Sequence, residues 1–82
     1  MKAIGQIKIE EGLILNNPTL EILNSSYNWV NNTVSIEILF NEENANYKHS
    51  RNYTFDLVAD KEYNSLDIIE FISKHDILKA FK

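Results

Sequence analysis

The stretch Thr33 to Phe40, TVSIEILF, alternates without a break: Val34, Ile36, Ile38 and Phe40 fall on one side, and Thr33, Ser35, Glu37 and Leu39 on the other. Period two is the side-chain period of a β-strand and is incompatible with one face of a helix. Residues 47–58, YKHSRNYTFDLV, carry the same pattern. Tyr47, His49, Arg51, Tyr53, Phe55 and Leu57 form one row, and Lys48, Ser50, Asn52, Thr54, Asp56 and Val58 the reverse. With NEENAN between them, these runs predict an antiparallel hairpin of 33–40 and 47–58 as the organising element of the fold. A one-residue slip would turn every apolar side chain to the wrong face, which removes half of the possible registers. Of the remainder, a turn at Ala45-Asn46 sets Val34 opposite Leu57, Ile36 opposite Phe55, Ile38 opposite Tyr53, Phe40 opposite Arg51 and Glu42 opposite His49. This register maximises aromatic and branched cross-strand pairs. It predicts an apolar base and a polar outer third, 41–51, projecting from the body.

Chain reversals must be made with few glycines, since the 82 residues include two Gly and one Pro but eleven Asn. An AT-rich genome accounts for that Asn content, and its physical effect is the same whatever its origin. Asn tolerates left-handed backbone and makes its own turn hydrogen bonds. The clusters Asn16-Asn17-Pro18, Asn24-Ser25-Ser26, Asn31-Asn32 and 41–46 therefore read as reversals. Between them, AIGQIKI is a first strand with Ala3, Gly5, Ile7 and Ile9 on one face, and Glu10-Glu11-Gly12 turns or bulges. Leu13 to Leu15 is a short apolar run that Pro18 ends, and Thr19 to Leu23 a further short strand. In 24–32, Tyr27, Trp29 and Val30 are expected to anchor an irregular segment by burial.

The last segment, SLDIIEFISKHDILKAF, reads as a helix over 65–81. Asn64 or Ser65 serves as N-cap, Asp67 lies in the first turn, and Glu70 and Lys74 pair four apart. Ile68, Ile69, Phe71 and Ile72 form the apolar arc. Because His75 and Asp76 fall in that arc, a bend near Lys74 to Asp76 is expected, with Asp76 capping a last turn. The whole is a single α+β domain, 1–82: an antiparallel sheet of four to six strands with the helix packed on one face.

Chemistry is constrained by what is missing. There is no Cys, and His49 and His75 have no second ligand at metal-binding spacing. No Gly-x-Ser-x-Gly turn exists, and two glycines cannot build a phosphate-cradling loop. No enzyme activity, cofactor, metal or small-molecule ligand is expected. The formal charge of −4 opposes nucleic-acid binding, although Tyr47, Lys48, His49, Arg51 and Tyr53 interleave bases with aromatics as single-strand binders do. Glu42 and Glu43 beside them would repel phosphate. The favoured reading makes Tyr47, His49, Arg51, Glu42 and Glu43 candidate protein-contact residues at the hairpin tip, with charges paired across the strands. A protein partner or self-association is expected. Alternatives are a single-stranded nucleic-acid module using 47–55 and a small acidic inhibitor of a host protein.

The start, MKAIGQIKIEEG, does not make a signal peptide, and no stretch approaches the ~20 apolar residues of a membrane span. In size, Asn/Ile/Lys-rich composition and strand-rich plan the chain resembles small uncharacterised phage-encoded proteins, including head and tail accessory subunits. That resemblance extends over the whole length and attaches to no particular residue. It implies a structural subunit, and with no signal peptide or membrane span the cytoplasm or the virion is the expected location.

Overall fold

The computed structural model describes residues 1–46, 48–58 and 61–82, with backbone alone for Ser65 and Leu66. Five strands come first: β1 (Gln6–Glu10), β2 (Leu13–Asn16), β3 (Thr19–Asn28), β4 (Thr33–Asn41) and β5 (Lys48–Asp56). Helix α1 (Ser65–Lys74) and a 3₁₀ turn (Leu78–Ala80) follow. The strands divide into an antiparallel pair, β1–β2, and an antiparallel sheet in the order β3-β4-β5. The single sheet expected from the sequence is thus two. The reason lies at Asn17 and Pro18. Asn17 takes a left-handed φ of 46° and Pro18 has no N–H to give to a ladder. Residues 1–3 occupy the place beside the start of β3 instead of β2: Leu20 N–H donates to the Met1 carbonyl at 2.7 Å and Ala3 N–H to that of Pro18 at 2.9 Å.

Strand β4 is central, and its alternation is realised as read: Val34, Ile36, Ile38 and Phe40 are each 0% exposed. Burial of such side chains stabilises by about 1.5–3 kcal/mol each, which makes β4 the axis of the core. The helix covers that face with Ile68 and Ile72, and the chain beyond it adds Leu78 and Phe81. Aromatic contacts fasten the two layers. Phe55 stacks on Phe71 with centroids 5.4 Å apart, and Phe40 meets Phe81 at 5.5 Å. The opposite face of the sheet carries Ser35, Glu21, Asn52 and Thr54 and is turned to solvent.

The hairpin forms, with its register two residues from the expected one. Val34 lies opposite Phe55, Ile36 opposite Tyr53, Ile38 opposite Arg51 and Phe40 opposite His49. Turn geometry overrides the preference for aromatic and branched pairs. Asn44, at φ 62°, takes the left-handed position, and Ala45 N–H closes on the Glu42 carbonyl at 3.2 Å. A shift by two keeps every side chain on its proper face. Leu57 then falls beyond β4, where its N–H donates to the Asn32 carbonyl at 2.7 Å.

Asn17, Asn32 and Asn44 all have positive φ, so three of the four Asn clusters are reversals. The fourth is not. Asn24, Ser25 and Ser26 lie inside the ten-residue β3, which passes them with a bulge between Ile22 and Asn24. Ser25 and Tyr27 face Ile36 and Val34, so the need of β4 for a ladder partner outweighs the turn preference of Asn-Ser-Ser. Trp29 and Val30 sit at the β3–β4 turn, 62% and 91% exposed, and do not anchor it by burial.

The helix ends at Lys74, and the expected bend is present. The N-cap position of the 3₁₀ turn is Ile77, and the side chain that takes up the free N–H groups there is that of His75, not the expected Asp76: its Nδ1 accepts from Ile77 at 3.2 Å and Leu78 at 3.3 Å. At the other end Asp67 Oδ2 accepts Asn64 N–H at 2.6 Å, and Glu70 and Lys74 pair at 2.7 Å. Among the described residues no helix is long and apolar enough to cross a membrane.

Candidate interaction surface

Strand β5 is an outer strand of the larger sheet, and its burial alternates throughout. His49, Arg51, Tyr53 and Phe55 are half-buried on the helix side, and Lys48, Ser50, Asn52, Thr54 and Asp56 are exposed. The Leu57–Asn32 bond tells which backbone groups are used. In an antiparallel ladder the N–H and C=O of one residue point the same way, and successive residues point opposite ways. With Leu57 aimed at β4, so are Phe55, Tyr53, Arg51 and His49. Lys48, Ser50, Asn52, Thr54 and Asp56 therefore present their N–H and C=O groups to the open edge. Among the described residues, no other strand pairs with that edge. The Ser50 carbonyl is met by Arg51 Nη1 at 2.8 Å.

The residues singled out from the sequence take separate roles. Arg51 Nε donates to Glu10 of β1, and Glu42 Oε1 accepts the N–H of Asn16, the last residue of β2, at 2.7 Å. Both were expected to pair across the hairpin; instead each reaches the β1–β2 pair. The expected projecting third of the hairpin is thus tied to the small sheet at both of its ends, while Glu43, Asn44 and Asn46 between them are exposed. His49 is half-buried opposite Phe40, and Glu43 is exposed, lining a shallow groove with Lys2, Ile4 and Lys82. Tyr47 lies outside the described residues.

Toward the helix, the inner row of β5 runs into a ring system. Tyr53 stands edge-on to Phe40 at 6.3 Å and to His75 at 5.1 Å, while Phe55 is edge-on to His75 at 5.8 Å. Burial, with the nearby Glu10 carboxylate adding to it, pushes the Tyr53 phenol above its ordinary value, and Arg51 acts against the shift. A groove of about 420 Å³ opens where the end of α1 meets β5, lined by Phe55, Phe71, Lys74, His75, Asp76 and Ile77. Among the described residues no three His, Asp or Glu side chains converge as a metal site would require.

Sequence reasoning placed attention on the tip and missed the edge residues Lys48, Asn52 and Asp56. A signal was present. Residues 48–56 contain neither Gly nor Pro to interrupt a strand, and the next element along the chain reads as a helix rather than a strand that could pair beside them. No protein-family model matches the chain, and no curated protein or solved structure matches it either.

Proposed function

We propose that this domain is a non-catalytic assembly module that takes up a protein partner along the open edge of β5. The observation that carries the reading is the strand itself: nine residues in unbroken register with β4, five of them with N–H and C=O groups turned outward, of which the Ser50 carbonyl is met by Arg51 of the same strand. An extended segment laid on such an edge gains a full set of main-chain hydrogen bonds, with side-chain fit supplying selectivity. The far side of the sheet is less inviting, because residues 1–3 cover the start of β3 and a bulge interrupts it after Ile22. Nucleic acid fits this surface poorly. Phe55 has one ring face on Phe71, Tyr53 is engaged with Phe40 and His75, and Arg51 is neutralised by Glu10, which leaves little for a base or a phosphate to use.

Asn52→Pro tests the reading. The Asn52 N–H points away from β4, so proline there removes an edge donor and leaves the internal ladder complete. Complexes that the chain forms, with itself or with another protein, are measured by sedimentation velocity and co-purification. Their loss in Asn52→Pro, with the circular dichroism spectrum retained, is the expected result. Complexes that survive the substitution, or the absence of any complex, would overturn it.

A further inference from the structure

We infer that the occupant of the β5 edge is a second copy of this chain, paired antiparallel about Asn52; this rests on the assembly reading above and names its partner. Lys48–Asp56 has Asn52 at its centre, and a two-fold axis midway between two copies of that residue matches the strand to its partner over its full length. Asn52 then meets Asn52, Ser50 meets Thr54 and Lys48 meets Asp56. Each of these residues turns its N–H and C=O outward, so these are the hydrogen-bonded pairs of the new ladder, in which Arg51 Nη1 gives up the Ser50 carbonyl that it meets at 2.8 Å in the single chain. Between them Arg51 lies opposite Tyr53 and His49 opposite Phe55, in the closer non-hydrogen-bonded positions. Opposite charges face each other twice, and so do a guanidinium and a phenol ring.

Neighbouring registers lose this match. Centring on Arg51 sets one guanidinium against its copy where side chains approach most closely. Centring on Tyr53 leaves Lys48 opposite Val58 and Asp56 opposite Ser50. Charges such as Lys48 and Arg51 on an edge deter unrelated strands, and a strand carrying the complementary residues escapes that penalty. Since the axis stands perpendicular to the sheet, the two three-stranded sheets join into one of six strands, with both helices on the same face. The half-exposed His49, Arg51, Tyr53 and Phe55, which end the sheet in one copy, become interior to it.

The test is a charge swap read by sedimentation equilibrium over a concentration series, with folding checked by circular dichroism. The wild-type chain is expected to be a dimer. Lys48→Glu and Asp56→Lys each break two symmetric ion pairs and should weaken the dimer by roughly five- to thirtyfold. The double variant K48E/D56K should return to within about threefold of wild type. Within one chain these residues are eight positions apart along a strand, about 27 Å, so a rescue can only arise between copies. A dimer indifferent to both single swaps, or single swaps without rescue, would overturn the pairing. A chain that remains monomeric would overturn it too, and the assembly reading would still stand if a different protein bound and Asn52→Pro released it.

Discussion

His75 holds Leu78 in place: its Nδ1 accepts the Leu78 backbone N–H at 3.3 Å, and the Ile77 N–H at 3.2 Å, where α1 has ended and the 3₁₀ turn begins. Leu78 is fully buried, so the acceptor fixes how the chain re-enters the core. The ring also stands against Tyr53 and Phe55. Losing a cap costs about 0.5–2 kcal/mol. His75→Ala should therefore destabilise by about 1–2 kcal/mol in urea unfolding, and Asp76→Ala by less than about 0.5 kcal/mol. Equal costs would show that the ring does not cap the turn.

The left-handed asparagines divide into two kinds. Asn17 accepts the Gly5 N–H on Oδ1 at 2.7 Å and returns its own N–H to the Gly5 carbonyl at 2.8 Å, joining the start of β3 to the residues before β1. Asn32 and Asn44 supply φ of 52° and 62°. Glycine adopts such φ freely. Asn44→Gly should change the melting temperature little, whereas Asn17→Gly should lose about 1 kcal/mol with its side-chain bond. Asn44→Ala, which lacks both remedies, should cost about 1–2 kcal/mol. Thermal denaturation of the three variants ranks them.

These two cases show how far the sequence could be read. Wherever one residue type had a single physical use, the reading held: the alternation of Val34 to Phe40 gave a buried face, and Asn17, Asn32 and Asn44 gave reversals. Competition between two uses is what misled it. Asn24-Ser25-Ser26 can turn or extend, and only the presence of β4 alongside decides for extension. Arg51 and Glu42 can pair within the hairpin or with another element. Their choice of Glu10 and Asn16 depends on a second sheet whose position no local pattern records. The break after Lys74 was legible because His75 and Asp76 disturbed the apolar arc; which of them caps depends on the geometry of the turn.

Tyr53 should titrate late. Its phenol is half-buried beside Phe40 and His75, and burial disfavours the phenolate. A phenol whose value is raised in the folded chain contributes stability that is complete below the ordinary value near 10 and is lost as the pH climbs through the raised one. A phenolate absorbance titration should show a step above the ordinary value, together with the onset of alkaline unfolding. Tyr53→Phe should remove that late step. Its persistence in the variant would assign it to another tyrosine.

Arg51 and Phe40 lie next to each other on the inner face, one row apart, yet only the contacts of Arg51 should depend on salt. The Arg51–Glu10 pair is 39% and 48% exposed at its two side chains, so solvent screens it and it contributes about 0–1 kcal/mol. Glu10→Gln should lower stability by no more than that at low salt, and the difference from wild type should shrink toward zero as salt rises past about 1 M, where the screening length is near 3 Å. Phe40 is wholly buried between the rings of Tyr53 and Phe81, at 6.3 and 5.5 Å. Phe40→Ala leaves a cavity and should cost about 3–5 kcal/mol at any salt concentration. That is a large part of the ~5–15 kcal/mol typical of a whole domain, so the variant is expected to be partly unfolded at room temperature. Urea titrations of both variants at low and high salt check the pair. A large, salt-independent loss in Glu10→Gln would mean that the join between the two sheets, not the β4 face, carries the fold.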